Sequence, residues 1–429
     1  MITSVFLHSG SYFILALFFL ILATLYAWGP SEEKKFLVMV LVWAFLVRVV
    51  LTYILHWQAY SEGFSGYVSG DDRLYSLKAL KIALIWKKLP YDSIADMGGL
   101  NYGVNAYTYL LAFFYRFIET NYFSSKLINC LIGAITPLLV YFIGKKIFSN
   151  NTARIALVLA SFYPSIVRWS VCNLRDPLAV FLTVVIFYLV CDMGKDMERF
   201  LKLAAIFGCA FILKSVQSVN FYALMLTAVI FGAYFCFAYV WKRKEIVIAL
   251  FILIMIYGAF GYIIAKPKLI SHLYYVVQLN SLRYISDTAG YQIYDDRFIY
   301  ELTSGRLDLL SFGRVYVRGL GYFLFSPFPW SISTMNQLIA YPQVILWYLF
   351  TFFAIIGFWR GLFIARWQSV LLLTFLLVGS SLFAMAEANV GSAFRHRDYF
   401  SPFVFIYASA GMIFCIEKYR CQLNSRKCA

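Results

Sequence analysis

The feature that most constrains this chain is a succession of long apolar runs. Each run has about 17 to 25 residues, the length that crosses ~30 Å of hydrocarbon at 1.5 Å per residue. Hydrophobic types make up 62% and charged types 14% of the 429 residues, which is more apolar surface than one globular core can bury. The sequence therefore predicts an all-α integral membrane protein, a polytopic bundle of about 11 transmembrane helices.

The predicted spans follow one another along a single membrane domain that covers residues 1–429. No basic segment precedes the first run and no small-residue cleavage site follows it, so we interpret it as a span and not as a signal peptide. The predicted spans are 11–28, 36–57, 126–144, 154–168, 174–191, 200–214, 218–240, 245–265, 338–358, 368–386 and 399–416.

Basic residues in the short loops predict the orientation, because cytoplasmic loops carry an excess of Lys and Arg. They all fall on one side if residues 103–119 do not cross the membrane. The segment 104–118 is too short to span, and it is predicted to lie in the interface, like the stretch 73–86 with its alternating apolar and basic residues. The basic residues are Lys145, Lys146, Arg154, Lys195, Arg199, Lys202, Lys242, Arg243, Lys244, Arg360, Arg366, Lys418, Arg420, Arg426 and Lys427.

This topology predicts a multi-pass protein of the bacterial inner membrane with its N-terminus outside and its C-terminus in the cytoplasm. The long loops 58–125 and 266–337 then lie on the outer, periplasmic face, where we expect the chemistry. Membrane lipids are expected partners.

The formal net charge of +16 does not indicate nucleic-acid binding, because the basic residues are scattered between apolar runs instead of sharing a solvated face. The eight cysteines form no CxxC pair and there are only four histidines. A structural zinc site is therefore not expected.

An acidic pair, Asp71 and Asp72, follows the second predicted span in the first outer loop. Two adjacent carboxylates at the membrane edge suit a general base that deprotonates an acceptor hydroxyl, or a site for a divalent cation such as Mg²⁺ or Mn²⁺. Apart from this cation, the sequence indicates no cofactor. The alternative interpretation is a helix cap, in which Asp72 accepts backbone N–H bonds, although this explains only one of the two aspartates.

Further charged residues lie at the predicted outer ends of later spans. Arg175 and Asp176 stand at the mouth of a helix hairpin, where they could face a cavity or simply pair with each other. Lys214 ends the sixth span, and Arg395, His396 and Arg397 precede the last. Basic groups on the outer side oppose the positive-inside tendency, so they indicate either a lipid phosphate partner or anchors that reach the headgroups.

In this order the features resemble the GT-C-fold glycosyltransferases that use lipid-phosphate sugars, such as the protein O-mannosyltransferases and the aminoarabinose transferase of lipid A. The likeness covers about residues 36–240 and 390–416. It rests on the acidic pair and on the segments 107–117, 126–134, 144–148, 163–165 and 175–177. The pair is Asp-Asp where an Asp and a Glu are also usual, an additional span precedes the fold, and no soluble C-terminal domain is expected.

The resemblance implies an inverting transfer from a polyprenyl-phosphate-linked sugar to a glycan, lipid or protein acceptor on the outer face. It implies catalytic roles for Asp71 or Asp72 and for Asp176, and phosphate binding by Arg175, Lys214, Arg395 and Arg397, with His396 beside them. A polysaccharide polymerase or ligase is the first alternative, since it also places arginines on lipid pyrophosphates. A flippase or transporter is the second, although the chain shows no inverted repeat.

Overall fold

A computed structural model describes residues 8–28, 32–90, 104–193, 197–240, 293–294, 309–332, 334–387 and 389–427. The regular elements of these residues are helical, which confirms the predicted all-α class. The α-helices are α1 Ser9–Trp28, α2 Lys34–Ser61, α3 Gly70–Trp86, α4 Ala106–Phe117, α5 Tyr122–Ile147, α6 Asn150–Phe162, α7 Pro164–Trp169, α8 Asp176–Cys191, α9 Met197–Val216, α10 Ser218–Val240, α11 Leu309–Phe325, α12 Met335–Ile364, α13 Arg366–Ala386, α14 Val390–His396 and α15 Ser401–Lys427.

Long apolar helices confirm a multi-pass membrane protein. Within the described residues, six helices are long and apolar enough to cross a membrane, and they lie in α1, α2, α5, α12, α13 and α15. Helices α8 and α10 contain shorter apolar stretches. A helix lies at every predicted span except 245–265, which falls outside the described residues, so the count of 11 spans stays a prediction.

The predicted span 154–168 differs from the structure because the helix breaks inside it. Helix α6 ends at Phe162 and the short α7 begins at Pro164. Proline has no N–H to continue the helical ladder and restricts the residue before it. The 13 residues of α6 rise only ~20 Å at 1.5 Å per residue, less than the hydrocarbon thickness.

The chain divides into two compact units, residues 1–218 with 401–429, and residues 219–400. In the first unit α5 packs against α2, α6 and α8, α15 packs against α6, and α3 packs against α4. Small residues bring α5 and α6 together, since a Cβ added at Gly144 would lie 3.4 Å from the Cα of Ala153. In the second unit α13 packs against α11 and α12.

Candidate functional site

The loop before α3 is shaped by residues with positive φ. Gly63, Ser65 and Gly66 have φ of 83°, 51° and 81°. A Cβ at Gly66 would lie 2.3 Å from Cε1 of His56, so the loop approaches α2 more closely than a side chain allows. Ser69 then caps α3, its hydroxyl accepting the backbone N–H of Asp72 at 3.2 Å.

Asp72 is fully buried and lies 3.2 Å from the ammonium of Lys126, whose side chain is also buried. Its Oδ2 accepts the N–H of Val68 at 2.9 Å, and its Oδ1 accepts the N–H of Asn173 at 3.1 Å. Lys126 also donates to the carbonyl of Gly66 at 2.6 Å. Asp72 is thus the third residue of α3 rather than its N-cap, and its carboxylate is surrounded by donors.

Asn173 connects two segments in which the sequence predicts site residues, the start of α3 and the loop before α8. Its backbone N–H binds Asp72, and its side-chain amide donates to Ser76 and Ser125, each at 2.9 Å. The hydroxyls of Ser125 and Tyr115 lie 3.0 Å apart. Burial raises the pKa of Tyr115 above its usual value, so this hydroxyl stays neutral.

Asn129 of α5 fixes the loop that carries Asn173. Its amide donates to the carbonyls of Cys172 and Leu174, at 2.6 and 2.8 Å, and lies 3.0 Å from the hydroxyl of Tyr107. The carbonyls of a buried, non-helical loop have no water to bond with, so a side-chain amide that donates to two of them stabilises the loop. The loop 172–174 is therefore fastened both to α5 and to α3.

A cleft of about 550 Å³ lies between the end of α2, the loop before α3 and α7. Its lining includes Arg73, Arg168 and Glu62. The Nη1 of Arg168 lies 3.4 Å from the sulfur of Cys172. Burial raises the pKa of Cys172 to about 11, so the thiol stays neutral and does not balance the charge of Arg168. The cleft can therefore receive an anionic group.

The predicted site residues of the first unit differ in burial and in their distance along the chain from the cleft. Asp71 is half-buried and stands in sequence between Gly70 and Arg73, which line the cleft. Asp176 is buried as the first residue of α8, with the half-buried Arg175 before it. Lys214 is exposed near the end of α9. Their functional roles stay predictions.

Three further predicted residues lie in the second unit. Arg397 is 1% exposed and donates to the carbonyls of Leu324 and Ser326, at 3.0 and 3.1 Å. His396 Nδ1 lies 2.5 Å from the carboxylate of Glu387. Burial raises the pKa of Glu387, but the contact with His396 outweighs it and the net pKa is lowered. The half-buried Arg395 precedes them. Hydrogen bonds to backbone thus occupy Arg397, one of the predicted phosphate ligands.

The described residues contain no group of three or more His, Cys, Asp or Glu side chains arranged to hold a metal ion. Donors already surround the Asp72 carboxylate. A requirement for Mg²⁺ or Mn²⁺ stays a prediction.

The sequence pattern does not assign Lys126, Asn129 or Asn173 to the site. The available signal is the position of Lys126 and Asn129 within an apolar run, because polar groups inside a membrane span need partners. Asn173 carries no comparable signal, since a polar residue between two helices is ordinary. Arg168 precedes the Arg175–Asp176 pair closely in the sequence, but only the structure shows that it lines the cleft.

Comparisons with known proteins agree with the resemblance in the sequence. Residues 106–262, a little over a third of the chain, match the family model described as dolichyl-phosphate-mannose-protein mannosyltransferase. The resemblance to the GT-C mannosyltransferase type is thereby confirmed for that segment. No match was found among curated proteins.

Two solved structures from Archaeoglobus fulgidus are similar to the chain. One is the archaeal oligosaccharyltransferase AglB in complex with an inhibitory peptide and a dolichol-phosphate, with a TM-score of 0.49 and 15% identity. The other is the oligosaccharyltransferase in its apo form, with a TM-score of 0.46 and 16% identity. Each alignment covers 92% of this chain and 52% of the solved chain, so the chain spans about half the length of these structures.

Proposed function

We propose that this chain is a membrane glycosyltransferase that moves a sugar from a polyprenyl-phosphate carrier to an acceptor on the periplasmic face. The observation that carries the proposal is the convergence of the acidic pair and the loop 172–174 beside a cleft lined by Arg73 and Arg168. The family match over residues 106–262 supports the reaction class. The acceptor is a glycan, a lipid or a protein.

Asp71 is the proposed general base. A base must come within hydrogen-bond reach of the acceptor hydroxyl, and Asp72 has no exposed surface and is held by Lys126 and two backbone N–H groups. Asp71 is half-buried and adjoins the cleft in sequence. The acceptor oxygen attacks the anomeric carbon, Asp71 takes its proton, and the bond to the phosphate oxygen breaks. Direct displacement inverts the anomeric configuration.

Arg73 and Arg168 are the proposed ligands of the departing phosphate. A guanidinium fork matches the geometry of a phosphate, and two of them line this cleft, where they would stabilise the charge that forms when the phosphate leaves. Arg397 is a weaker candidate, because it already donates to two carbonyls and has 1% exposure. Arg175, Lys214 and Arg395 remain proposed contacts of the lipid carrier, with His396 beside them.

The test compares Asp71→Asn with Glu198→Gln in a strain that lacks the gene. Glu198 is a matched control, since its 63% exposed carboxylate pairs with Lys202 on α9, away from the cleft residues. Mass spectrometry of surface glycans, glycolipids and carrier lipids gives the readout. We expect the control to restore one sugar and Asp71→Asn to lose about 10²-fold or more of the transfer. Full restoration by Asp71→Asn would contradict the role of Asp71.

A second comparison tests the cleft. Arg73→Gln and Arg168→Gln should lower kcat and raise the KM for the lipid donor, whereas Arg116→Gln, a change of a half-buried arginine beside Phe117, should do neither. If the deletion instead leaves glycan chains uniformly short, the polymerase alternative is favoured. Movement of a lipid-linked sugar across liposomes with no change in its glycosidic bonds would favour the transporter.

A further inference from the structure

One ammonium group connects three parts of the first unit. Lys126 lies in the first turns of α5, and its Nζ contacts Asp72 Oδ2 at 3.2 Å and the carbonyl of Gly66 at 2.6 Å. Both charged side chains are 0% exposed. The residues 66–72 are therefore held to α5 from both ends, on the loop side and on the α3 side.

Stability alone does not explain this pair. Two buried charges lose their hydration, and replacing such a pair with apolar residues of similar volume is often neutral or stabilising. An ion pair does, however, demand one specific geometry, which apolar contacts do not. The arrangement around Asp72 is specific, because three donors on three different segments converge on one carboxylate: Val68, Lys126 and Asn173.

The contacts of Asp72 also fix the positions of the residues on either side of it in α3. Successive residues of an α-helix are turned by ~100°, so fixing the carboxylate of the third residue of α3 also fixes the rotation of its first turn. Asp71 precedes Asp72 and Arg73 follows it. Any loosening of Asp72 would therefore displace both residues. A displacement of ~1 Å in reacting groups can lower the rate ~10²-fold.

We propose that Lys126 is a positioning residue for Asp71 and Arg73, that it acts through Asp72, and that Asp72 transfers no proton in the reaction. The proposal rests on the proposed function of the cleft. It predicts that the negative charge of Asp72 is needed because Lys126 is present, and not because the chemistry requires a second carboxylate.

The test uses the full-length protein in nanodiscs. The donor probe is a total lipid extract from cells that lack the gene, and membranes from the same cells supply the acceptor. Lys126→Met leaves a buried carboxylate without its cation, and we expect kcat to fall ~10²-fold. Asp72→Asn leaves the Lys126 ammonium without its anion, but Lys126 keeps its bond to the Gly66 carbonyl and the amide oxygen still accepts one of the two backbone N–H groups. We therefore expect kcat to fall less in Asp72→Asn than in Asp71→Asn.

The decisive variant is the neutral pair Asp72→Asn with Lys126→Met. It removes both charges together, so we expect kcat to recover to within about tenfold of the wild type, with little change in the KM for the donor. The matched control is Asp71→Asn with Lys126→Met, which should show no recovery. Thermal unfolding of each variant, followed by fluorescence size-exclusion chromatography, separates lost activity from lost folding.

A folded neutral pair that is as inactive as Asp71→Asn would overturn the proposal, because Asp72 would then act on the substrate directly. If the neutral pair does not fold, the activities of the two single variants decide. A kcat of Asp72→Asn at least tenfold above that of Asp71→Asn supports the positioning role, and an equal or lower kcat contradicts it. Absence of transfer by the wild type would count against the proposed function itself.

Discussion

Arg48, a buried cation inside the span α2, should be one of the strongest determinants of stability in the first unit. Its side chain is 0% exposed. Nε donates to the hydroxyl of Ser170 at 2.9 Å, and Nη1 donates to the carbonyls of Ala44 and Ser161 at 2.9 and 3.0 Å. Ser161 is the last residue but one of α6, so its carbonyl is among the four at the helix end that have no N–H partner within the helix. Arg48 therefore fastens the two helices on either side of the break.

The magnitude for Arg48→Met follows from these contacts. Loss of the guanidinium leaves the Ser161 carbonyl without its donor, at ~1–3 kcal/mol, and removes charge-assisted bonds worth ~1.5–3 kcal/mol each. Relief of the buried charge offsets part of this, particularly since Nη2 has no hydrogen-bond partner in the described residues. We expect a net loss of about 2–4 kcal/mol. Arg48→Lys should lose about half as much, because an ammonium keeps the charge but cannot donate both to the Ser170 hydroxyl and to the two carbonyls in the guanidinium geometry.

The assay is unfolding by titration with SDS in mixed micelles, followed by tryptophan fluorescence. Arg73→Met serves as the control, because it removes an exposed guanidinium and should change stability by less than ~0.5 kcal/mol. Equal unfolding midpoints for Arg48→Met and the wild type would refute the reasoning, since the break in the helix would then need no external donor.

Three further predictions concern other parts of the chain. Gly66→Ala should lower the unfolding midpoint in the same titration, because a Cβ would lie 2.3 Å from the His56 ring and φ is 81°. The lowered pKa of Glu387 means that its contact with His396 stabilises the fold above the usual pKa of 4.5, and this stabilisation is lost as pH falls below that value. Thermal unfolding of wild type and Glu387→Gln at pH 7 and pH 4 should show a larger acid loss for the wild type. With the other cysteines replaced, the exposed Cys421 should react with an impermeant maleimide only after permeabilisation if the C-terminus is cytoplasmic.

Much of the architecture follows from the lengths of the apolar runs, because a membrane permits few other solutions for them. The sequence predicts α3 as an amphipathic segment and α4 as a segment too short to cross. It does not predict helix α11, since Gly313, Arg314 and Arg318 interrupt the apolar sequence there. Pro164 is itself a signal for the break, but the predicted span 154–168 follows the apolar composition, which continues through it.

The site is predictable only in part, for a reason visible in the motif at 395–397. Its sequence suggests three equivalent polar groups, yet Arg397 is buried against carbonyls and His396 is bound to Glu387. Burial depends on which helices pack around a residue, and that information is tertiary. A local pattern therefore indicates that a partner exists without identifying a phosphate, a carbonyl or a carboxylate as that partner.

The acidic pair shows how far local reasoning can reach. Adjacent residues at the start of a helix are turned ~100° apart, so Asp71 and Asp72 cannot both face the same environment. One of them has to be less exposed, and a buried carboxylate requires a cation. Helical geometry therefore agrees with the division of roles proposed for the two aspartates, whereas the sequence pattern leaves them as alternatives. It does not predict Lys126, because only the packing of α5 against the loop before α3 brings that ammonium to 3.2 Å.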